Sequence, residues 1–219
     1  MTIDHSNVDL RLWGKSRGLS APYPLIWHLV DTGAVAGRLW DRYLTAGQRR
    51  VICFGLGVDE DQAKRLVMVW ASLHDLGKAT PGFQEQDRAA ASALRVDPAY
   101  GDWLLGNLPH DRATQVSLVR LLADYGYESL GPSGTRPCVL VAQTLGGHHG
   151  RFHQVSRSDR RFLGGGGWER QRAALVRVLD QALGSPKAPS SVAGPCLVLI
   201  TGLVILADWL ASTPAGDPF

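Results

Sequence analysis

The sequence predicts an all-α protein, a bundle of helices joined by long loops. Three observations carry that prediction. Six stretches read as helix from the spacing of their apolar residues and their start and stop signals. No run sustains the period-two alternation of a half-buried strand with hairpin turns at its ends. Glycine and proline collect between the helical stretches.

The first helix is expected over Leu25–Leu44, with Leu25, Leu29, Val35 and Leu39 on one apolar side. Pro22 and Pro24 precede it, where a missing N–H costs little. Asp59-Glu60-Asp61 supplies capping carboxylates for a second helix over Ala63–Leu76, and Gly77 is expected to stop it. Further helices are expected over Arg112–Tyr125, Pro137–Leu145, Trp168–Leu183 and Pro195–Ala211. Between them run long connections, 78–110, 126–136 and 146–167. Connections of that length in a compact domain are usually functional or disordered. The last ends in Gly164-Gly165-Gly166-Gly167, which predicts a mobile loop. No internal repeat and no domain boundary is legible, so residues 1–219 are expected to form a single domain, with Ser212–Phe219 as a tail or linker.

At 219 residues and 45% hydrophobic content the chain can bury a substantial core and is not of disordered composition. The longest apolar run, Cys196–Leu206, is interrupted by Thr201 and Gly202; it is too short for a membrane span and reads as a buried helix. The first residues lack the basic-then-apolar pattern of a secretory leader. Three scattered cysteines, Cys53, Cys138 and Cys196, give neither a disulfide framework nor a thiolate zinc site, and fit a reducing cytoplasm. A net charge of +3 does not by itself imply nucleic acid. Its distribution is more telling: between Arg151 and Arg177 lie seven arginines against only Asp159 and Glu169. Such a patch can hold a phosphate backbone, or merely solvate a helix face.

The chemistry-bearing residues are histidines and aspartates. His74-Asp75 closes a strongly apolar helix (Leu66, Val67, Val69, Trp70, Leu73), so the pair emerges at a buried helix end. Imidazole suits transition metals, and a carboxylate can bridge two of them. A second His-Asp dipeptide, His110-Asp111, lacks the Leu-Gly-Lys that follows the first. His28 lies within the first helix. His148-His149 sits in Gly-Gly-His-His-Gly, where two imidazoles can approach one ion with little steric resistance. Asp208 lies in the most hydrophobic helix, where a carboxylate is costly unless it is paired or binds metal. Five histidines and two aspartates are enough nitrogen and oxygen ligands for two ions, an arrangement that suits phosphodiester hydrolysis. His5 and His153 have no comparable support.

The order His28, His74-Asp75, Asp208 resembles the HD phosphohydrolase superfamily. Leu12-Trp13-Gly14-Lys15-Ser16, Trp27-His28-Leu29-Val30-Asp31, the string His74-Asp75-Leu76-Gly77-Lys78-Ala79-Thr80-Pro81-Gly82-Phe83-Gln84, the His148-His149 pair and Ala207-Asp208-Trp209 resemble the HD domain of Cas3 over almost the whole chain. The resemblance implies an HD-domain helical bundle with long functional loops, and a two-metal nuclease acting on single-stranded DNA in type I CRISPR interference. It implies His28, His74, Asp75 and Asp208 around one metal, and Asp75, bridging, with His110, His148 and His149 around the other. Asp75 and Lys78 are the catalytic pair it implies, with Lys78 near the scissile phosphate. The ions would be divalent transition metals (Fe, Mn, Ni or Co), with Mg admitted. Arg151, Arg157, Arg160 and Arg161 are the expected contacts to the DNA backbone.

Partners implied by the resemblance are single-stranded DNA, a Cascade-type CRISPR complex and a Cas3 helicase, fused or separate, in the cytoplasm and without membrane. The phosphate-cradling Gly-x-x-x-x-Gly-Lys-Ser/Thr loop of that helicase does not occur here, so the chain reads as an excised domain or a stand-alone subunit that needs a motor for long duplexes. Two alternatives stand beside this reading: an HD-superfamily phosphohydrolase acting on nucleotides, and an inactive HD module that binds Cascade or an inhibitor.

Overall fold

The helical bundle is built around two helices that touch almost backbone to backbone. The computed structural model describes residues 5–16, 18–101, 103–127, 134–189 and 191–213. Helix α1 (Leu25–Arg42) crosses α3 (Glu60–Leu73) at Gly33 and Gly37. A Cβ on Gly33 would run into the Ser72 hydroxyl, and one on Gly37 would lie 2.9 Å from Met68 Sδ. The absence of those side chains lets His28 on α1 and His74 at the end of α3 come within 5.2 Å, ring to ring.

Helix α2 (Ala46–Leu56), absent from the sequence expectations, is announced by Thr45-Ala46-Gly47-Gln48. Gln48 N–H donates to Thr45 Oγ1 at 3.2 Å and Thr45 N–H to Gln48 Oε1 at 2.8 Å, a reciprocal capping box. The Asp59 carboxylate caps α3 by accepting from Gln62 N–H at 2.8 Å, as its acidic run predicts. Yet α3 ends at Leu73, and Leu76–Lys78 form a tight 3₁₀ turn. Gly77 therefore does not terminate the helix. It sits where a Cβ would collide with the His110 carbonyl, and its N–H donates to Thr114 Oγ1 at 2.8 Å. The glycine is needed for close packing of that turn on helix α6 (His110–Leu122).

Short helices α4 (Pro81–Gln84) and α5 (Arg88–Arg95) break up the connection expected between Lys78 and His110. Helix α6 packs on α7 (Pro137–Gly146), and α8 (Gly167–Ala182) and α9 (Gly194–Ser212) complete the bundle. The core gathers Trp40, Trp70, Trp168 and many leucines and isoleucines, each such aliphatic side chain contributing roughly 1.5–3 kcal/mol by burial. One correction concerns strands: Trp13–Lys15 (β1) and Tyr23–Pro24 (β2) pair antiparallel, too short for any periodic pattern to register. Cys53, Cys138 and Cys196 form no disulfide among the described residues.

Helix α9 is longer than its apolar run suggested and, by length and composition, apolar enough to cross a membrane. Here Cys196, Ile200, Leu203, Val204 and Ala207 face the bundle, with α9 packed on α1, α2 and α7, while Val198 and Trp209 stay exposed. The glycine run is also not the loose loop it resembled. Gly164 and Gly166 take positive φ (68° and 52°), and Gly167 lies so close to the Ala99 carbonyl that no side chain would fit. The buried Arg172 guanidinium donates to the carbonyls of Leu163 (2.6 Å), Ala79 (2.8 Å) and Gly164 (3.1 Å), fastening that turn. Most of the expected tail, residues 214–219, lies outside the described residues, as does 128–133 in the connection before α7.

Candidate metal centre

The Leu-Trp-Gly-Lys and His-Asp-Leu-Gly-Lys strings, far apart in sequence, are clipped together by one side chain. Gln84, fully buried, donates from Nε2 to the carbonyls of Trp13 and Lys78, both at 2.9 Å, and its Oε1 accepts from Trp13 N–H at 3.1 Å. This clip holds β1 beside the turn that follows α3, where His74 and Asp75 emerge. It was not anticipated as more than a member of a string.

The seven residues expected as metal ligands fall into two groups: His28, His74, Asp75 and Asp208 in one, and His110, His148 and His149 in the other. Each group comes from several elements. His28 comes from α1, His74 and Asp75 from the end of α3, Asp208 from α9, His110 from the first residue of α6, and the double histidine from the turn after α7.

Asp75 joins the two groups. Its Oδ2 lies 2.8 Å from His28 Nε2 and 3.2 Å from His74 Nε2. Its Oδ1 lies 3.3 Å from both His110 Nε2 and His148 Nε2. Asp208 Oδ1 completes the first group at 3.5 Å from His28 Nε2 and 3.4 Å from His74 Nε2. His149 Nε2 stands 2.9 Å from His110 Nε2 in the second.

Backbone carbonyls set two of the tautomers. His74 Nδ1–H donates to Ala71 O at 2.8 Å, and His148 Nδ1–H to Leu145 O at 2.7 Å. A carbonyl can only accept, so the proton sits on Nδ1 in each neutral ring and the Nε2 lone pair is aimed inward. His74 Nε2, His148 Nε2 and Asp75 Oδ1 are buried with no hydrogen-bond partner. Orphaned buried polar atoms are costly, and these, divided between the two groups, fit residues that could hold cations. The donor set, imidazole nitrogen and carboxylate oxygen without thiolate, fits divalent transition metals.

The electrostatics tell the same story. Burial pushes the Asp75 carboxyl up, but His74 and Lys78 outweigh it and hold its pKa well below the ordinary value. Burial would lower His74, yet Asp75 and Asp208 raise it to about 9. Asp208, pushed up by burial, is drawn below the usual range by His74. His110 is pushed down to about 4, chiefly by burial. The pocket therefore holds two ionised carboxylates that demand positive charge: they hold His74 protonated, which answers part of that demand, whereas burial keeps His110 neutral.

Lys78 lies closer to this centre than expected. Its Nζ is 2.6 Å from Asp75 Oδ2 and donates to the Gly14 carbonyl at 2.9 Å. His153, set aside in the sequence, pairs through Nε2 with Asp111 Oδ2 at 2.8 Å, and Gln115 Nε2 donates to the His153 carbonyl at 3.3 Å. These bonds tie the segment after the double histidine to the first turns of α6, next to His110. No spacing in the sequence joins residues 111 and 153.

Arg151, Arg157, Arg160 and Arg161 are all exposed, and none forms an ion pair among the described residues. Residues 157–163 are a 3₁₀ segment opened by Ser156 and Asp159, with Asp159 also bound by Arg112 at 2.7 Å. The arginines thus project from an anchored scaffold. None of the contacts described above joins them to the two histidine–aspartate groups.

A family model described as "Cas3, HD domain" matches residues 13–215. The chain is 32% identical to a CRISPR-associated endonuclease/helicase Cas3 of Thermus thermophilus over 219 residues, covering 96% of this chain and 23% of that one. A solved structure titled "CRISPR RNA-guided surveillance complex, pre-nicking" contains a chain 40% identical, with a TM-score of 0.81 over 94% of this chain and 25% of that one. The crystal structure of the Thermus thermophilus cas3 HD domain in the presence of Ni²⁺ is 27% identical, with a TM-score of 0.68 over 94% of this chain and 77% of that one. The chain spans 23% to 26% of the length of the curated relatives it matches.

Proposed function

Because the chain belongs to the Cas3 HD-domain family, whose relatives are named CRISPR-associated nucleases, we propose that it hydrolyses phosphodiester bonds of single-stranded DNA at a centre of two divalent metal ions. The observation that carries this reading is the division of Asp75: one carboxylate oxygen faces each histidine group. His28, His74, Asp75 and Asp208 would hold one ion, and Asp75, His110, His148 and His149 the other. Two such ions supply Lewis acidity to an attacking water and to the phosphoryl oxygens. Fe, Mn, Ni or Co suits these ligands, Mg less well; the Ni²⁺ named with one relative is in keeping with that set.

The chain's own side chains orient and charge the centre. The Ala71 and Leu145 carbonyls lock His74 and His148 with Nε2 inward. Lys78 places a point charge beside the shared carboxylate, where negative charge develops on a phosphoryl group. Arg151, Arg157, Arg160 and Arg161 offer unpaired guanidinium groups to a phosphate backbone. The relatives' names support a helicase and a surveillance complex as partners; in this reading the helicase is fused or separate and the setting is the cytoplasm.

Circular single-stranded DNA incubated with the protein, with and without Mn²⁺, tests the reading. Metal-dependent linearisation and degradation are expected, with a circular duplex left intact. Hydrolysis of free nucleotides with the circle untouched would favour a nucleotide phosphohydrolase, and inertness toward both would favour a binding module.

A further inference from the structure

A second cavity lies away from the histidines, between α6, α8, the residues Gly101, Trp103 and Leu104, and the segment 160–165. It is an open cleft of about 690 Å³, within the range of small-ligand pockets. Trp103, Leu104, Val116 and Leu163 give it an apolar wall. Ser117 also lines it, with the Ser117 hydroxyl and the Trp103 indole N–H themselves buried behind its surface. Three guanidinium groups stand at its edge. Arg120 is tied to Glu169 at 2.8 Å, whereas Arg160 and Arg161 have no acidic partner among the described residues.

The cavity is linked to the metal centre by a run of contacts. The His110 ring is 5.3 Å from Phe83. Next to Phe83, a Cβ on Gly82 would lie 3.1 Å from the Gly106 carbonyl, and the Phe162 ring packs on Gly106 so closely that no side chain would fit there. Arg161 then stacks over Phe162 at 4.6 Å and lines the cavity. Helix α6 gives the scale: Arg120 lies ten residues beyond His110, about 15 Å along the axis.

Resting on the nuclease reading above, we propose that this cavity is a nucleotide subsite for the strand being cut, with a backbone phosphate at Arg160 and Arg161 and one base turned inside. Guanidinium groups at the mouth select phosphate. An apolar wall that includes the Trp103 ring suits the face of a planar heterocycle. Such a subsite is tolerant of sequence, because every base has an apolar face. It would anchor the strand a fixed distance from the metals, so that long strands bind better than short ones.

The test compares a dinucleotide, which cannot span both places, with a long oligothymidylate. Two variants perturb the cavity without touching the histidine groups. Gly101→Phe narrows it, since a Cβ there meets only the Pro98 carbonyl at 3.6 Å, and Leu104→Glu puts a negative charge on its exposed wall. Thermal melting checks that each folds; should Gly101→Phe fail, Leu104→Glu carries the test. Each is expected to raise KM for the oligonucleotide about tenfold relative to the dinucleotide. Metal-free binding of thymidine monophosphate, followed by calorimetry, is expected in the unaltered protein and lost in the variants. An unchanged KM ratio in a folded variant overturns the proposal. So does nucleotide binding that the variants abolish without changing the ratio, because the cavity would then hold a free nucleotide. If the unaltered protein cuts no DNA yet binds thymidine monophosphate here, it is the nuclease reading that fails.

Discussion

Lys78 Nζ lies 2.6 Å from Oδ2 of Asp75, the carboxylate oxygen that also faces His28 and His74. The ammonium is therefore part of the electrostatic frame of the centre, and the Gly14 carbonyl keeps it there. Lys78→Ala should retain metal, because an ammonium donates no lone pair, while cleavage slows about 100-fold through loss of a fixed positive charge. Elemental analysis beside single-turnover cleavage checks this. Loss of metal along with activity would make Lys78 a structural brace of Asp75.

Gly77 sets the distance between the two histidine groups. A Cβ at this position collides with the His110 carbonyl and comes within 2.5 Å of the Thr114 nitrogen. Gly77→Ala should push the start of α6 outward, cost about 1–3 kcal/mol of stability, and weaken metal binding at His110, His148 and His149 before the other group. Denaturant unfolding and metal titration measure both. A variant with unchanged stability and two unchanged binding steps would contradict the packing described.

Much of the site was legible because its signals are local. A buried helix ending in His-Asp, a histidine pair among glycines and an aspartate in an apolar helix each depart from ordinary composition. What escaped has no local trace. The Asp111–His153 bond and the Gln84 clip join residues 42 and 71 positions apart. The role of Gly77 depends on a helix that begins 33 residues later, so a stop signal was the natural reading. Helix α2 carries one local signal, its Thr-x-x-Gln capping box. The glycine run misled because Arg172, not any residue within it, fastens it.

The exposed arginines after the double histidine give a salt-dependent prediction. Replacing Arg157, Arg160 and Arg161 with alanine should weaken single-stranded DNA binding and lower the salt slope by about 0.7 per lost phosphate contact. Binding isotherms over a range of salt concentrations check it. An unchanged affinity and slope would mean that these side chains only solvate the segment. Loss of bis-p-nitrophenyl phosphate hydrolysis would mean instead that they support His148 and His149.

Three orphaned buried polar atoms at the centre of the bundle should make stability depend on metal. An ion present at a hundredfold excess over its Kd stabilises by about 2.7 kcal/mol. Adding Mn²⁺ to metal-free protein should raise the unfolding temperature by several degrees, and a chelator should reverse the shift. Equal melting curves with and without metal would speak against a cation site in the core.

The shared carboxylate is tested most directly by counting metal in the protein and in Asp75→Ala. Because Oδ2 and Oδ1 of Asp75 face separate groups, the loaded protein should hold close to two transition-metal ions per chain, and Asp75→Ala should lose both. One ion per chain, retained in Asp75→Ala, would contradict the account.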